Sequence, residues 1–229
     1  MLEVRDLHVC YGQSEVLHGI DLAVQPGEIV AVVGRNGMGK STLMKSLIGV
    51  LPTASGSVSV GGVEVSSLPS HSRVRQGLGD VPQGRQIFGT MTVRENIETG
   101  LVVTGKSDVP PEIYELFPIL QEFAGRRGGN LSGGQQQQLA IARALASDPK
   151  VLLLDEPTEG IQPSIIKDIA RLLKHIRDMR QLCIVVCEQV LSFVLDVADR
   201  ILVIENGTIV HSDTRDRVDE AAIARFLAV

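Results

Sequence analysis

The sequence predicts an α/β fold with a mostly parallel core sheet that helices cover on both faces. Residues 28–33, EIVAVV, form an apolar, β-branched run that leads through a glycine-rich loop into a helical pattern. Val151 to Leu154 form a second apolar run, which ends in two carboxylates. From about residue 88 to residue 147 the pattern is helical, which predicts a helical subdomain inserted between the strands.

The segments on either side of this insertion have the patterns of strands and a helix. Residues 2–24 alternate like two strands joined by a turn, which predicts an antiparallel N-terminal β-subdomain. Pro163 is placed to open a helix, because apolar residues recur at helical spacing after it. Asn206-Gly207 separates two further apolar runs and predicts a tight hairpin.

We expect a single domain over residues 1–229, with a core formed by residues 1–87 and 148–229 and a helical subdomain formed by about 88–147. A hydrophobic content of 44% and a charged content of 21% are globular values. The net charge of −5 gives no reason to expect a nucleic acid partner. No apolar run approaches the roughly 20 residues that a membrane-spanning helix needs, so any membrane role is expected to depend on a separate protein.

The cysteine and histidine residues predict neither a metal site nor a disulfide. Cys10, Cys183 and Cys187 form no C-x-x-C pair, and the last two lie in the apolar run LCIVVC. We therefore expect Cys183 and Cys187 to be small core residues. The five histidines do not cluster along the sequence.

A phosphate-binding loop is the first motif that predicts chemistry. Residues 34–41 match the pattern G-x-x-x-x-G-K-S in full, and glycines there allow backbone N–H groups to converge on a phosphate at a helix N-terminus. We expect Lys40 to bind the β- and γ-phosphates of a nucleoside triphosphate and Ser41 to bind Mg²⁺. A glycine-rich turn without a ligand is the alternative. The expected nucleotide-binding residues of this loop are Gly34, Arg35, Asn36, Gly37, Met38, Gly39, Lys40, Ser41 and Thr42.

Two adjacent carboxylates mark the end of the second apolar run. Asp155 and Glu156 are expected at the C-terminal end of a buried strand. Near a phosphate-binding loop, Asp155 is expected to bind Mg²⁺ through water, and Glu156 to act as general base on the water that attacks the γ-phosphate. A solvated strand end is the alternative, and it would be preferred if the loop were absent.

The third motif is the pentapeptide Leu131-Ser132-Gly133-Gly134-Gln135, which precedes a helical run. The Ser132 hydroxyl and the first backbone N–H groups of such a helix can bind an anion. By itself the segment predicts only a helix N-cap. One bound nucleotide has little use for two anion-binding helix ends from the same chain, and the residues alone do not resolve this.

Together these motifs resemble the nucleotide-binding subunit of ABC transporters, over almost the whole chain from residue 2 to the terminal FLAV. The resemblance implies an ABC motor domain with a P-loop NTPase fold, and an ATPase that uses ATP and Mg²⁺. It also implies that two ATPase subunits, identical or related, pair head to tail. Each ATP then lies between the phosphate-binding loop of one subunit and the segment Ser132 to Gln135 of the other.

The resemblance assigns roles to three further residues. Tyr11 occupies the position at which ABC proteins stack the adenine ring, with a core or turn tyrosine as the alternative. Gln83 matches the glutamine that senses Mg²⁺ and leads into the helical subdomain, with a surface-loop glutamine as the alternative. Gln189 stands where most relatives carry a histidine that contacts the γ-phosphate. A glutamine can donate a hydrogen bond there but cannot titrate near neutral pH.

Two other positions depart from the common ABC pattern. Gln162 ends the loop Glu159-Gly160-Ile161-Gln162, where most ABC proteins place a carboxylate at the subunit interface. Asp80 stands where relatives often have tyrosine, and the sequence offers no physical account of that change.

The resemblance also implies a complex at the cytoplasmic face of the cell membrane, where the chain is peripheral. Its partners there are two membrane permease subunits, with a solute-binding protein acting indirectly, and no nucleic acid. The stretches LSGGQQQQLAIARAL and LDEPTEGIQPSIIKDI most resemble a urea-transporter ATPase, so uptake of urea or a related small polar solute is the expected function. A branched-chain amino acid importer is the alternative. A non-transport ABC switch protein has less support, because the chain has one phosphate-binding loop and an acidic balance.

Overall fold

The computed structural model describes residues 1–227, and Ala228 and Val229 lie outside the described residues. It confirms the α/β class, with a four-stranded and a six-stranded sheet. The strands are β1 Leu2–Tyr11, β2 Ser14–Val24, β3 Ile29–Val33, β4 Ser55–Val60, β5 Val63–Glu64, β6 Leu78–Val81, β7 Val151–Asp155, β8 Cys183–Glu188, β9 Arg200–Glu205 and β10 Thr208–Thr214. The helices are α1 Lys40–Leu47, α2 Ser70–Arg75, α3 Val93–Leu101, α4 Pro111–Leu116, α5 Pro118–Glu122, α6 Gly133–Ala146, α7 Pro163–Arg180, α8 Leu191–Val197 and α9 Glu220–Leu227, with a 3-10 turn at Gly128–Asn130.

The six-stranded sheet has the order β10-β9-β3-β8-β7-β6 and is parallel except for the antiparallel pair β9–β10. Every residue of β3, β7 and β8 is buried. Strands covered on both faces have continuous apolar sequences, which is why these runs could be recognised. Asn206 and Gly207, with φ of 47° and 76°, form the turn between β9 and β10 and confirm the expected hairpin.

The four-stranded sheet has the order β2-β1-β4-β5 and is antiparallel throughout, as expected for the N-terminal β-subdomain. Its buried residues share one apolar cluster with α1 and with one face of the large sheet, where Leu7, Leu17, Leu43 and Leu202 are at most 2% exposed. Burial of side chains of this size is worth about 1.5–3 kcal/mol each. The cluster therefore fixes α1, which follows the phosphate-binding loop, against both sheets.

Helices α3 to α6 lie between β6 and β7 in sequence, where the helical insertion was expected. Their apolar residues, with those of α7, form a second cluster on the other face of the large sheet. Helices α3 and α6 each begin with a capping box, formed by Thr92 with Glu95 and by Ser132 with Gln135. The division of the chain at 87/88 and 147/148 remains a prediction.

The remaining features of the described residues concern cysteines, metals and the membrane. All three cysteines are free, and Cys183 and Cys187 belong to the first apolar cluster, as expected. Within residues 1–227, no three His, Cys, Asp or Glu side chains are grouped to hold a metal ion by themselves. The helices of the same residues include none with the length and apolar character needed to cross a bilayer.

Candidate nucleotide-binding and catalytic site

The candidate site lies at the carboxyl edge of the large sheet, where three buried strands end side by side. Val33 of β3 pairs with Glu188 of β8, and Cys187 of β8 pairs with Asp155 of β7. Because β3, β8 and β7 are parallel neighbours, the loops that follow them leave the sheet at the same edge. The phosphate-binding loop, the carboxylates and the Gln189 segment therefore converge, although they are far apart in sequence.

Three glycines have structural reasons to be glycine in the phosphate-binding loop. Gly37 and Gly39 have φ of 82° and 110°, a region that side chains with a Cβ rarely adopt. A Cβ on Gly34 would lie 2.5 Å from the backbone oxygen of Ile204. Gly39 is the N-cap of α1, and no side chain of residues 1–227 caps this helix, so its first N–H groups are available to a phosphate.

Lys40 is buried, with 4% exposure, and its ammonium lies inside the loop. Its Nζ donates hydrogen bonds to the carbonyl oxygens of Gly34 at 2.8 Å and Arg35 at 3.1 Å. It also lies 3.7 Å from Oε1 of Glu156. The lysine charge is thus held inside the loop by two neutral carbonyl acceptors and one carboxylate, which a phosphate could replace.

Asp155 supplies a buried oxygen that has no partner within the described residues. The residue is 4% exposed, and Oδ1 has no hydrogen bond. Burial raises the pKa of its carboxyl, and the Ser41 hydroxyl and the Lys40 charge oppose this rise. A carboxylate oxygen, a serine hydroxyl and an amide oxygen are the hard ligands that Mg²⁺ prefers. The donor atoms of Asp155, Ser41 and Gln83 are therefore of the kind that would suit a magnesium ion.

The two carboxylate oxygens of Glu156 each have one side-chain contact, which together orient the carboxylate. Its backbone is left-handed, with a φ of 48°, which a residue with a Cβ adopts only at an energetic cost. Lys40 approaches Oε1, while Nε2 of Gln83 donates a hydrogen bond to Oε2 at 3.1 Å. Burial raises the pKa of this carboxyl, the Lys40 charge opposes the rise and the Asp155 charge adds to it. A carboxyl with a raised pKa is a better proton acceptor than an ordinary glutamate.

These groups surround an open cavity of about 610 Å³. Its wall includes the phosphate-binding loop from Asn36 to Thr42 except Met38, together with Gln83, Glu156 and Gln189. The structure thus brings together the lysine, the candidate base, the glutamine of the Gln83 loop and Gln189. A cavity with a glycine-rich anion site and convergent carboxylates suits a nucleoside triphosphate.

Comparison with known proteins decides the class. Residues 17–159 match the sequence profile of the family described as ABC transporter. The chain belongs to the ABC transporter family. It is therefore an ATPase, and its nucleotide is ATP.

The relatives of this ABC protein cover nearly its full length. It is 42% identical to the high-affinity branched-chain amino acid transport ATP-binding protein BraG of Pseudomonas aeruginosa, with 93% of each chain covered. It is 35% identical to the probable branched-chain amino acid transport ATP-binding protein LivF of Archaeoglobus fulgidus, over 96% of this chain and 94% of the relative. The solved ADP conformation of MJ1267, an ATP-binding cassette of an ABC transporter, matches with a TM-score of 0.84 and 25% identity, over 99% of this chain and 94% of that one.

The segment Ser132 to Gln135 of the ABC protein does not line the 610 Å³ cavity. Ser132 is exposed at the N-terminus of α6, where its Oγ accepts from the Gln135 N–H at 3.4 Å and its own N–H donates to Gln135 Oε1 at 3.0 Å. Gly134 is buried, and a Cβ there would lie 2.6 Å from Ile165. The segment is packed from behind against α7, while its serine faces outward.

The other expected site residues lie around the cavity rather than in its wall. Tyr11 is 47% exposed at the end of β1 and is not part of the lining. Gly34 and Arg35 contribute carbonyl oxygens to Lys40, and Met38 packs against the first apolar cluster. Asp155 borders a neighbouring cavity of about 510 Å³.

Sequence reasoning missed two residues of this site, Glu188 and Thr158. Both are buried, both line the cavity, and they are hydrogen-bonded to each other. A local signal existed for Glu188, because an acidic residue at the end of an apolar strand is the same pattern that pointed to Asp155. Thr158 gave no such signal, since a threonine after Glu156-Pro157 is unremarkable in sequence.

A second missed link joins the helical insertion to the loop that carries Gln83. Arg143 of α6 donates from Nη1 to the Gln86 carbonyl at 2.9 Å and from Nη2 to the Arg85 carbonyl at 3.2 Å. The Arg85 guanidinium in turn donates to the Glu159 carbonyl at 2.5 Å. The helix that begins at Ser132 is therefore connected through the Gln83 loop to the loop that follows Glu156.

Proposed function

We propose that this ABC ATPase powers the uptake of branched-chain amino acids through separate membrane permease subunits. The observation that carries the catalytic part is the convergence of Lys40, Glu156 and Gln83 on one cavity. The cargo is supported by the names of two relatives, BraG at 42% identity and LivF at 35% identity, each of which matches more than nine-tenths of the chain. The motor residues themselves do not contact the cargo, so the cargo rests on this likeness alone.

The proposed reaction is attack of water on the γ-phosphorus of ATP. Lys40 exchanges its contacts with Gly34 and Arg35 for the β- and γ-phosphates, where its charge offsets the charge of the transition state. Glu156 accepts the proton of the attacking water as the new O–P bond forms and the bond to the β-phosphate oxygen breaks. The products are ADP and inorganic phosphate.

Mg²⁺ is the second ligand of this proposal. Ser41, Asp155 and Gln83 would hold it, and when bound it offsets the charge of the phosphate oxygens. The unpartnered, buried Oδ1 of Asp155 supports this assignment, because a buried carboxylate oxygen without a donor is costly unless a cation is provided. Gln83 contacts Glu156 in the present structure, so its amide is within the same site.

The complete site is proposed to form between two ATPase subunits, paired head to tail. Ser132 and the first N–H groups of α6 are an anion-binding helix end that is exposed and absent from the cavity of their own chain. A facing subunit, either a second copy or a related ATPase, would bring this end to the γ-phosphate. Tyr11 would stack on the adenine from the near side, since it is exposed at the end of β1.

The permease contact is proposed at the groove beside the Gln83 loop. Two adjoining cavities of about 510 and 530 Å³ share Ile48, Asp80, Pro82 and Gln86 in their walls. Exposed apolar side chains, including Phe88 at 48% exposure, lie at the same place. Such a patch suits a protein partner. Docking there would place the chain at the cytoplasmic face of the membrane, with a solute-binding protein acting through the permeases and without a nucleic acid partner.

Urea is the second candidate cargo, and it rests on the stretches 131–145 and 154–169 of the sequence. The deciding experiment reconstitutes the chain with its candidate permeases and binding protein in vesicles and measures ATP-dependent uptake of labelled leucine and of labelled urea. We expect leucine uptake that is lost with Lys40→Ala. Uptake of urea alone would assign the second cargo. Co-purification with nucleic acid, without transport of either solute, would contradict the importer proposal.

A further inference from the structure

Glu188 is a buried carboxylate at the end of β8, with 2% exposure, and four hydrogen-bond donors converge on it. Its Oε2 accepts from the Thr158 hydroxyl at 2.6 Å and from the Thr158 N–H at 3.2 Å. Its Oε1 accepts from the N–H groups of Gln189 at 2.8 Å and Val190 at 3.1 Å. Each carboxylate oxygen therefore accepts two hydrogen bonds, and the two bonds to each oxygen come from one loop.

The two loops that share Glu188 are those that carry Glu156 and Gln189. Thr158 follows Glu156 by two residues, and the Glu156 N–H donates to the Cys187 carbonyl at 2.9 Å, beside Glu188. Gln189 is exposed and lines the cavity together with Glu156. One side chain thus connects the candidate base to the residue expected at the γ-phosphate.

This connection is made by hydrogen bonds rather than by an ion pair. No Lys, Arg or His within residues 1–227 forms a salt bridge with Glu188, unlike Glu28 and Glu112, which pair with arginines. A buried carboxylate is costly unless donors replace its water, and here backbone and hydroxyl donors do so. Since three of the four donors are backbone N–H groups, the carboxylate fixes the backbones of both loops, whichever way their side chains point.

We propose that Glu188 is a positioning residue that makes the Glu156 loop and the Gln189 loop move as one unit when the γ-phosphate binds or leaves. This inference rests on the proposed roles of Glu156 and Gln189. In this role Glu188 takes no part in bond making or breaking and acts through Thr158, Gln189 and Val190.

The substitution Glu188→Gln separates this role from simple space filling. A glutamine of the same shape has one acceptor oxygen, and its NH₂ group must face the donors of one loop. Either the Thr158 pair or the Gln189–Val190 pair is then left without an acceptor. Thr158→Val removes the hydroxyl donor from the other side of the same contact, and Glu28→Gln changes a part-buried carboxylate outside the cavity as a matched control.

The first measurement is amide hydrogen exchange of the full-length chain without nucleotide. In Glu188→Gln we expect exchange in the peptides that contain Thr158, or Gln189 and Val190, to be about tenfold faster or more, because charge-assisted hydrogen bonds are lost. Glu28→Gln should leave both peptides unchanged. Wild-type exchange rates in both peptides of Glu188→Gln would overturn the proposal, whatever the activity of the variant.

The second measurement is steady-state ATP hydrolysis by the assembled transporter, with ATP binding measured separately. Glu188→Gln should lower kcat by about tenfold or more while KM and the Kd for ATP change little, because the phosphate-binding loop is untouched. The double variant with Thr158→Val should lose less than the product of the single effects, since both act on one contact. Multiplicative effects, or a loss confined to KM, would contradict a positioning role. Absence of hydrolysis by the wild-type assembly would instead contradict the proposed function itself.

Discussion

Lys40 and Glu156 face each other across the cavity, with Nζ and Oε1 3.7 Å apart. The glutamate comes from the end of β7 and the lysine from the first position of α1, which follows β3. In this arrangement the two charges offset each other, and Nε2 of Gln83 donates a hydrogen bond to the second oxygen of the glutamate. We expect phosphate binding to draw Lys40 away from Glu156, so that the carboxylate becomes available as a proton acceptor when the substrate is in place.

Removing the lysine tests the first half of this exchange. We expect Lys40→Ala to lower ATP turnover by about 10²–10³-fold, because a preorganised cation at the transferring phosphoryl group is lost. The measurement is phosphate release by the assembled complex. Lys174→Ala, on the exposed face of α7, is the control and should retain wild-type turnover. Near-normal hydrolysis by Lys40→Ala would show that the loop does not bind the reacting phosphate.

Neutralising the glutamate tests the second half. Glu156→Gln keeps the shape of the side chain but removes the proton acceptor, so we expect turnover to fall by about 10²–10⁴-fold while ATP still binds. Because hydrolysis no longer reopens the site, we expect ATP to make the closed pair of ATPase subunits accumulate. This pair should elute in size-exclusion chromatography as a larger species than the monomer. Glu205→Gln, exposed at the end of β9, serves as the control. An elution profile that ATP leaves unchanged in the presence of the partner subunit would contradict the assignment.

Asp80 gives the stability of the fold a dependence on pH. Burial, with the nearby charge of Asp155, raises the pKa of its carboxyl from 3.8 to about 7, and the Arg143 charge opposes this rise. The folded state therefore disfavours the ionised form. Below pH 3.8 the carboxyl is protonated in both the folded and the unfolded state, so it does not change the free energy of unfolding. Between pH 3.8 and about 7 the folded state binds more protons than the unfolded state, so the free energy of unfolding falls as the pH rises. Above about pH 7 the carboxyl is ionised in both states and the decrease is complete.

The variant Asp80→Asn should remove this dependence. We expect the difference in free energy of unfolding, Asp80→Asn minus wild type, to be about 2–3 kcal/mol larger at about pH 8 than at about pH 5. The wild type loses about 1.4 kcal/mol per pH unit between about pH 5 and about pH 7, whereas the variant has no carboxyl to titrate. Urea denaturation of both proteins at the two values measures it. Asp108→Asn, on an exposed loop, should show a constant difference. If the difference between Asp80→Asn and wild type is also the same at both pH values, burial does not raise the pKa of Asp80 as described.

The buried thiols should be chemically silent in the folded chain. Burial raises the pKa of the Cys187 thiol well above its ordinary value, and the charge of Asp155 adds to this. Cys183 is equally enclosed, whereas Cys10 is half-buried on β1. With a colorimetric disulfide reagent we expect at most one fast thiol in the native protein and three after unfolding in denaturant. Two fast thiols that persist in Cys10→Ser would show that the β8 core is open.

The features that could be predicted from the sequence are those set by residues that are close together along the chain. The continuous apolar runs of β3, β7 and β8, the glycine pattern of residues 34–39 and the hairpin at Asn206-Gly207 are each set by neighbouring residues, and the structure contains all of them. The order of strands in the sheet is set by packing over long distances. It pairs Asp155 with Cys187, the residue before Glu188, and no local pattern encodes that placement.

The same distinction explains the missed contacts. Arg143 lies 57 residues from the Gln86 carbonyl to which it donates, and the Thr158 N–H lies 30 residues from the Glu188 carboxylate that accepts from it. Both bonds depend on the direction of backbone carbonyl and N–H groups in loops, and side-chain identity does not determine these directions. The two capping boxes, by contrast, span four residues each and are legible in the sequence as Thr92-x-x-Glu95 and Ser132-x-x-Gln135.

The segment at Ser132 carries the claim that the site is shared between subunits. We expect Ser132→Arg to abolish hydrolysis by the assembled complex, because the bulky cation blocks the helix end that should meet the γ-phosphate of the facing subunit. Thr92→Arg disrupts the equivalent capping box on α3, and its cost in helix stability is comparable at about 1 kcal/mol. It should hydrolyse ATP at close to the wild-type rate. Loss of activity in both variants would point to helix unfolding.

The most direct test of the shared site is an ATP titration of the monomeric Ser132→Arg chain. If the helix end serves only a facing subunit, the Ser132→Arg monomer binds ATP with the same Kd as the wild-type monomer, even though the assembled Ser132→Arg complex is inactive. If the Kd of the monomer rises in parallel with the loss of turnover, the segment binds the nucleotide of its own chain and the two-subunit site is wrong.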